Sequence, residues 1–165
     1  MPGNQSRAVA LGGVLAALAV VIMCLGGLIP VTTFVCPMLC TMTQFLVLRF
    51  CGRRIAWAWF AVVAILSLLL GPDKEAAIVF TAIGYYPLIR LHFEKRRIPV
   101  LWKVLYFNPA IVAAYIVMIY VFGMQEIAEE NLEFGMIGLV IILIMGNVVF
   151  FLLDKLLGLM ARKLR

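Results

Sequence analysis

Six apolar blocks, separated by short charged stretches, leave this chain few ways to fold. They occupy residues 8–29, 34–50, 55–70, 75–91, 101–122 and 132–153. None shows the ten-residue alternation of a membrane β-barrel strand, and none confines its apolar residues to one helical face. A helix that crosses a bilayer takes about 20 apolar residues, with a range of roughly 17–25. The first, fifth and sixth blocks meet this with ease. The second, third and fourth are shorter, and span with the help of snorkelling side chains and local thinning. Composition agrees: 65% of residues are hydrophobic and 13% charged, against roughly 25% charged in a soluble domain. The mean hydropathy is +1.12. The predicted fold is all-α, a single domain over residues 1–165 built as an integral membrane bundle of six transmembrane helices.

The charges give this count a direction. With the N-terminus inside and six alternating spans, the inner side receives Arg7, Arg49, Arg53, Arg54, Arg90, Lys95, Arg96, Arg97, Lys103, Lys155, Arg162, Lys163 and Arg165, which is 13 of the 14 Lys and Arg residues. Lys74 alone falls outside. Six of the eight acids also fall outside: Asp73, Glu75, Glu126, Glu129, Glu130 and Glu133. Basic loops remain cytoplasmic, and a wrong span count would scramble the partition. Both termini are therefore expected inside. Trp57, Trp59 and Trp102 each follow a basic cluster by a few residues, a position suited to the headgroup level.

The formal charge of +6 is accounted for by this topology. No phosphate-cradling loop and no basic stretch interleaved with exposed aromatics is present, so nucleic acid is not an expected partner. The first block exceeds the roughly 7–15 apolar residues of a signal peptide core and reads as a retained helix. Cys36 and Cys40 share a helix face, but metal sites call for tighter pairs with further His or Cys. His92, the one histidine, falls at the opposite membrane face. The cysteines read as small buried apolar residues, and neither a metal nor a cofactor is expected.

Chemistry inside a membrane needs ionisable or nucleophilic groups within the spans, where charges are costly and mark function. These spans hold almost none; the charges fall near helix ends or in loops. That argues against a protease, a pump, a proton-coupled transporter or a redox protein, and no catalytic residue is assigned. The spans do hold neutral polar residues: Thr41, Thr43, Gln44, Ser67, Thr81, Tyr85, Tyr86, Asn108, Tyr115, Tyr120 and Asn147. Pro87 and Pro109 each remove a backbone donor and disturb the carbonyl four residues earlier, at Ile83 and Leu105. Interrupted membrane helices often point to a substrate site. Two connections stand out as well. Residues 30–37, "PVTTFVCP", form an uncharged outer loop able to fold over a pocket. Residues 123–133 carry four glutamates, as a solvated loop or a short amphipathic lid.

The first block opens "RAVALGGVLAALAVVIMCLGGLIP". Ala8, Gly12 and Ala16 lie on one track, with Gly13 and Ala17 one step round. Small-xxx-small tracks let helices approach closely in lipid, either within the chain or against another membrane protein. This opening, the closing "GNVVFFLLDKLLGLMARKL" and the six-span topology together resemble the S components, the substrate-binding subunits of energy-coupling factor (ECF) transporters.

The resemblance implies a bacterial plasma-membrane protein that binds a vitamin or related micronutrient from outside. It implies a pocket in the outer half, formed by the fourth to sixth helices under the first outer loop. It also implies partners: a transmembrane T subunit, docked on Ala8, Gly12 and Ala16, and two ATPase subunits, with toppling in the lipid to release the cargo. Depth in the membrane selects Thr33, Lys74, Thr81, Tyr85, Tyr115 and Tyr120 as substrate-binding candidates. Lys74 is the one external cation for an anionic group, and the scarcity of outer charges favours an uncharged or aromatic ligand. Two other readings fit the length and span number. One is a scaffold of the type of the bacterial cell-shape membrane protein MreD; the other is a small stand-alone facilitator.

Overall fold

The computed structural model describes residues 2–26, 32–94, 99–121, 123 and 125–163. Side chains are described for 6–26, 34–90, 92–94, 99–121, 123, 143, 144 and 146–163. Among the described residues there are seven helices and no strand: α1 (Pro2–Gly26), α2 (Thr32–Cys51), α3 (Arg53–Leu70), α4 (Lys74–Ile83), α5 (Tyr86–Glu94), α6 (Pro99–Tyr120) and α7 (Gln125–Lys163). Four stretches, Ser6–Gly26, Phe34–Cys51, Arg53–Leu70 and Pro99–Tyr120, are long and apolar enough to cross a membrane. The chain is therefore a helical membrane protein. It divides into two compact units, Met1–Lys95 with α1 to α5 and Arg96–Arg165 with α6 and α7.

In the first unit α1, α2 and α3 alternate in direction. An added Cβ at Gly26 would lie 3.1 Å from Cys36 Sγ. Cys40 Sγ donates to the Ala19 carbonyl at 3.4 Å, and Gln44 Nε2 donates to the Ala56 carbonyl at 3.1 Å. Numbers rise on α1 and on α3 as they fall on α2, so both neighbours run antiparallel to α2. The α2–α3 reversal takes one residue, Gly52, at φ 88°. That left-handed backbone is open to glycine at little cost. Small side chains fill the centre (Ala19, Ala56, Ala76 and Ala77, all fully buried), with Met23, Trp59, Val63 and Phe80 packed among them. Small residues allow the close backbone approach from which helices in lipid gain their packing energy.

The charge knot at Asp73–Glu75 is a double cap. Asp73 Oδ1 accepts from the Ala76 N–H at 3.0 Å and closes the start of α4. Lys74 Nζ donates to the Leu68 carbonyl at 2.8 Å, placing a cation at the negative end of α3.

The fourth apolar block is interrupted. α4 stops at Ile83, Gly84 and Tyr85 form a turn, and α5 begins at Tyr86. Pro87 sits in the first turn of α5, where a missing N–H does no harm, and the Leu88 N–H closes on the Tyr85 carbonyl at 3.0 Å. Gly84 is required at the turn. A Cβ there would lie 2.6 Å from both the Phe80 carbonyl oxygen and the edge of its ring. The other two interior prolines break nothing: Pro37 lies within α2 and Pro109 within α6.

Two connections expected as loops are helical. Residues 32–37 already belong to α2, and residues 125–133 belong to α7, which runs unbroken for 39 residues. At 1.5 Å per residue α7 is about 58 Å long, well beyond the roughly 30 Å of a hydrocarbon core. Its start is rich in Glu, Ala, Leu and Gln, all good helix formers.

Gly84→Ala is expected to destabilise the protein by about 1–3 kcal/mol, the usual cost of overpacking. Gly13→Ala, where an added Cβ meets nothing within 4 Å, should stay within about 0.5 kcal/mol of wild type. Thermal unfolding followed by circular dichroism in detergent compares the two.

Candidate functional site

The interruption brings aromatic rings together within the first unit. Tyr85 projects from the turn and stacks on Trp57 of α3, with ring centroids 6.3 Å apart and planes at 23°. Phe60, one turn along α3, meets Tyr85 edge-on at 5.6 Å and Trp57 edge-on at 6.3 Å. Behind it Phe80 lies 5.7 Å from Phe60. Trp57 and Tyr85 remain partly accessible while Phe80 is fully buried. The cluster thus has an anchored back and an open ring face, and offers stacking surface to an apolar or aromatic group.

Thr81 lies one turn before Tyr85 on the same side of the interrupted segment. Its hydroxyl donates to the Ala77 carbonyl at 2.8 Å. Lys74 belongs to the same unit, but its ammonium is engaged at the end of α3. Tyr115, half-buried, and Tyr120, 83% exposed, both lie on α6 in the second unit. The side chain of Thr33 lies outside the described residues. The structure therefore joins Thr81 and Tyr85, gives Lys74 a capping role, and adds Trp57 and Phe60 as the ring partners of Tyr85.

Trp57 and Trp59, paired in sequence as headgroup-level residues, face different surroundings. Trp57 is 42% exposed, whereas Trp59 is 4% exposed and packs in the core. Two positions on a helix are about 200° apart, so one ring must turn inward when the other turns out. Trp59 Nε1, Gln44 Oε1 and Ser67 Oγ are buried with no hydrogen-bond partner among the described residues.

Of the small-residue tracks on α1, Ala8, Gly12 and Ala16 are the inner one. Gly12 is buried, and an added Cβ would lie 3.3 Å from Ile55 of α3. Ala16 packs against the core and Ala8 is half-buried. Gly13 and Ala17 are exposed.

The second unit is a helical hairpin with a polar seam. Lys103 pairs with Asp154 at 2.7 Å, Phe107 stacks on Phe150 at 4.5 Å, and Asn147 Nδ2 donates to Asn108 Oδ1 at 2.8 Å. Rising numbers on α6 meet falling numbers on α7, so the two helices are antiparallel. Gly146 makes room for the Phe107 ring, 3.3 Å from an added Cβ. The side chains of Lys103 and Asp154 are only 9% and 15% exposed, and α7 continues nine residues past Asp154. Lys103 lies near the start of α6, as expected for a charge, but Asp154 lies well inside α7 and departs from the expectation that charges fall near helix ends or in loops. In the first unit Glu94, the other acid expected inside, is also paired, with Arg90 at 2.7 Å. An acid standing alone among basic residues was the only hint of either pair in the sequence.

No family model matches the chain, and neither a curated protein nor a solved structure is similar to it.

Removing one partner of a buried ion pair strands the other charge, at a cost of about 3–5 kcal/mol, while replacing both by apolar residues is often neutral or stabilising. Lys103→Met should therefore destabilise strongly, and the double variant K103M/D154L should recover most of that loss. A double-mutant cycle by thermal unfolding in detergent measures the coupling.

Proposed function

We propose that this chain is the substrate-binding S-component-like subunit of an ECF-type uptake transporter in a bacterial plasma membrane. In this reading it spans the membrane six times with both ends cytoplasmic, counting α4 and α5 together as one interrupted span. It performs no chemistry of its own. The observation that carries the reading is the break at Gly84–Tyr85 with the Phe60 ring beside it, deeper along α3 than Trp57. A helix interrupted in lipid has carbonyls freed from the helical ladder, and these persist only where protein or a cavity satisfies them. Such breaks recur where transporters hold their cargo. The aromatic lining favours a ligand with a planar or apolar body, of the vitamin or related micronutrient class.

A T subunit and two ATPases are the partners this reading requires. Their contact with α1 moves one step round from the track the sequence suggested, to the exposed Gly13 and Ala17, because Gly12 is already packed on Ile55. Leucine at each glycine separates the two roles. Gly13→Leu should abolish co-purification of partner subunits while thermal stability stays close to wild type. Gly12→Leu should loosen α1 from α3 and lower stability itself. The measurement is affinity purification from the native membrane in mild detergent, with every co-purifying chain identified. Recovery of a membrane subunit with ATPases supports the reading. Recovery of cell-wall or cytoskeletal proteins instead would replace it with the scaffold reading, and solute flux by the chain alone in liposomes would replace it with a facilitator.

A further inference from the structure

The arginines of the first unit differ in how their charge is met. Arg90 is buried and paired with Glu94. Arg7, Arg53 and Arg54 are exposed and make no ion pair among the described residues. They share one end of the unit. Arg53 and Arg54 follow the one-residue turn at Gly52, and Arg49 lies just before it on α2. Gly12 sits against Ile55, and the parallel course of α1 and α3 brings Arg7 to the same level. Asp73 and Glu75 lie at the far end of α3. At the arginine end of this unit the one acid among its described residues is Glu94, already taken by Arg90. The helix adds to the imbalance: Arg53 and Arg54 occupy the first turn of α3, whose dipole end is itself positive, and no acidic residue is present there.

We infer that this end of the first unit, Arg7, Arg53 and Arg54, is a binding surface for the phosphate headgroup of an anionic phospholipid. Charge complementarity demands an anion that the described protein does not provide. The position of Trp57 selects lipid over a soluble anion. It stands four residues after Arg53 and three after Arg54, directly above them on the same face of α3. It is 42% exposed and is held in place by stacking on Tyr85. Indole at headgroup level beside guanidinium is the arrangement that membrane interfaces select. The arginines take the phosphate and the indole lies along the glycerol and ester region. This surface does not depend on a transported ligand, and it would be present in a scaffold as well.

The test uses the full-length protein in mild detergent, titrated with phosphatidylglycerol or phosphatidylcholine, with bound lipid counted by native mass spectrometry. Wild type should retain phosphatidylglycerol and release phosphatidylcholine. R53Q/R54Q should bind phosphatidylglycerol about thirtyfold more weakly, the usual effect of two basic residues near a membrane surface. R53K/R54K should keep most of the binding. R162Q/K163Q, which removes the same charge from the end of α7, should leave it unchanged. If R53Q/R54Q unfolds, R53Q alone carries the same test, at about fivefold. Equal retention of phosphatidylcholine, or equal loss in R162Q/K163Q, would overturn the site in favour of diffuse attraction. Displacement of the lipid by inorganic phosphate would assign the surface to a soluble anion instead.

Discussion

A polar group in lipid has no water to fall back on, so each one must be answered by the chain itself. Much of this structure follows from that demand. Thr41 and Thr81 turn their hydroxyls back to the carbonyls of Pro37 and Ala77, four residues earlier. Thr43 turns to Cys40, three residues earlier. These local bonds let threonine sit in an apolar helix without a partner on another one. Gln44 and Asn147 are longer and reach across, to the Ala56 carbonyl and to Asn108, and so join helices that dispersion alone would hold. The charges obey the same rule at higher stakes. Lys103 and Asp154 are buried together, and Lys74 and Asp73 close the ends of the helices they join.

Close packing is the second half of the same problem. Apolar side chains gain little by leaving lipid for protein, so helices associate through shape. Gly12 against Ile55, Gly26 against Cys36 and Gly146 against Phe107 are each spaced so that an added methyl group meets the neighbour at 3.1–3.3 Å. The glycine at 84 works differently. It clears space for the Phe80 ring to fold over the backbone at the break, and that ring supports Phe60 and, through it, Tyr85. A local steric requirement in the chain thereby sets the position of the rings to which binding is attributed.

These relations explain what could be read from the residues alone. The interruption was legible in Gly84-Tyr85-Tyr86-Pro87, because glycine and proline act on their own backbone and need no distant partner. The four long apolar helices were legible for the same reason: hydropathy is a property of the segment. The helical starts at residues 32–37 and 125–133 were not, since lack of charge in one and acidic charge in the other say little about backbone conformation. The Lys103–Asp154 pair depends on the register of two facing helices, which no single segment encodes. Likewise the tracks through Gly12 and Gly13 have the same spacing, and only the position of Ile55 distinguishes the inner one. Of the candidate cluster, Tyr85 and Thr81 could be singled out because both lie in the segment that Gly84 and Pro87 interrupt. The ring neighbours Trp57 and Phe60 come from a helix whose rotation the sequence left open, and the bond from Lys74 to the Leu68 carbonyl is hidden because its target is backbone.

Burial also divides the basic residues by role. A cation that is buried must be paired within the chain, because stranding it costs several kcal/mol; Arg90 and Lys103 have their carboxylates. A cation held at the surface has no such obligation and remains available to whatever anion the surroundings supply. Positive-inside topology places arginines at helix ends in every such protein, but it does not dictate which of them are neutralised internally. Glu94 and Asp154 are both spent on such buried partners, each within its own unit. Arg7, Arg53 and Arg54, exposed and without an ion pair among the described residues, keep their charge for an anion from outside the chain. In the reading proposed above, the basic distribution expected to orient the chain also leaves Arg53 and Arg54, beneath one anchored indole, for a lipid to meet.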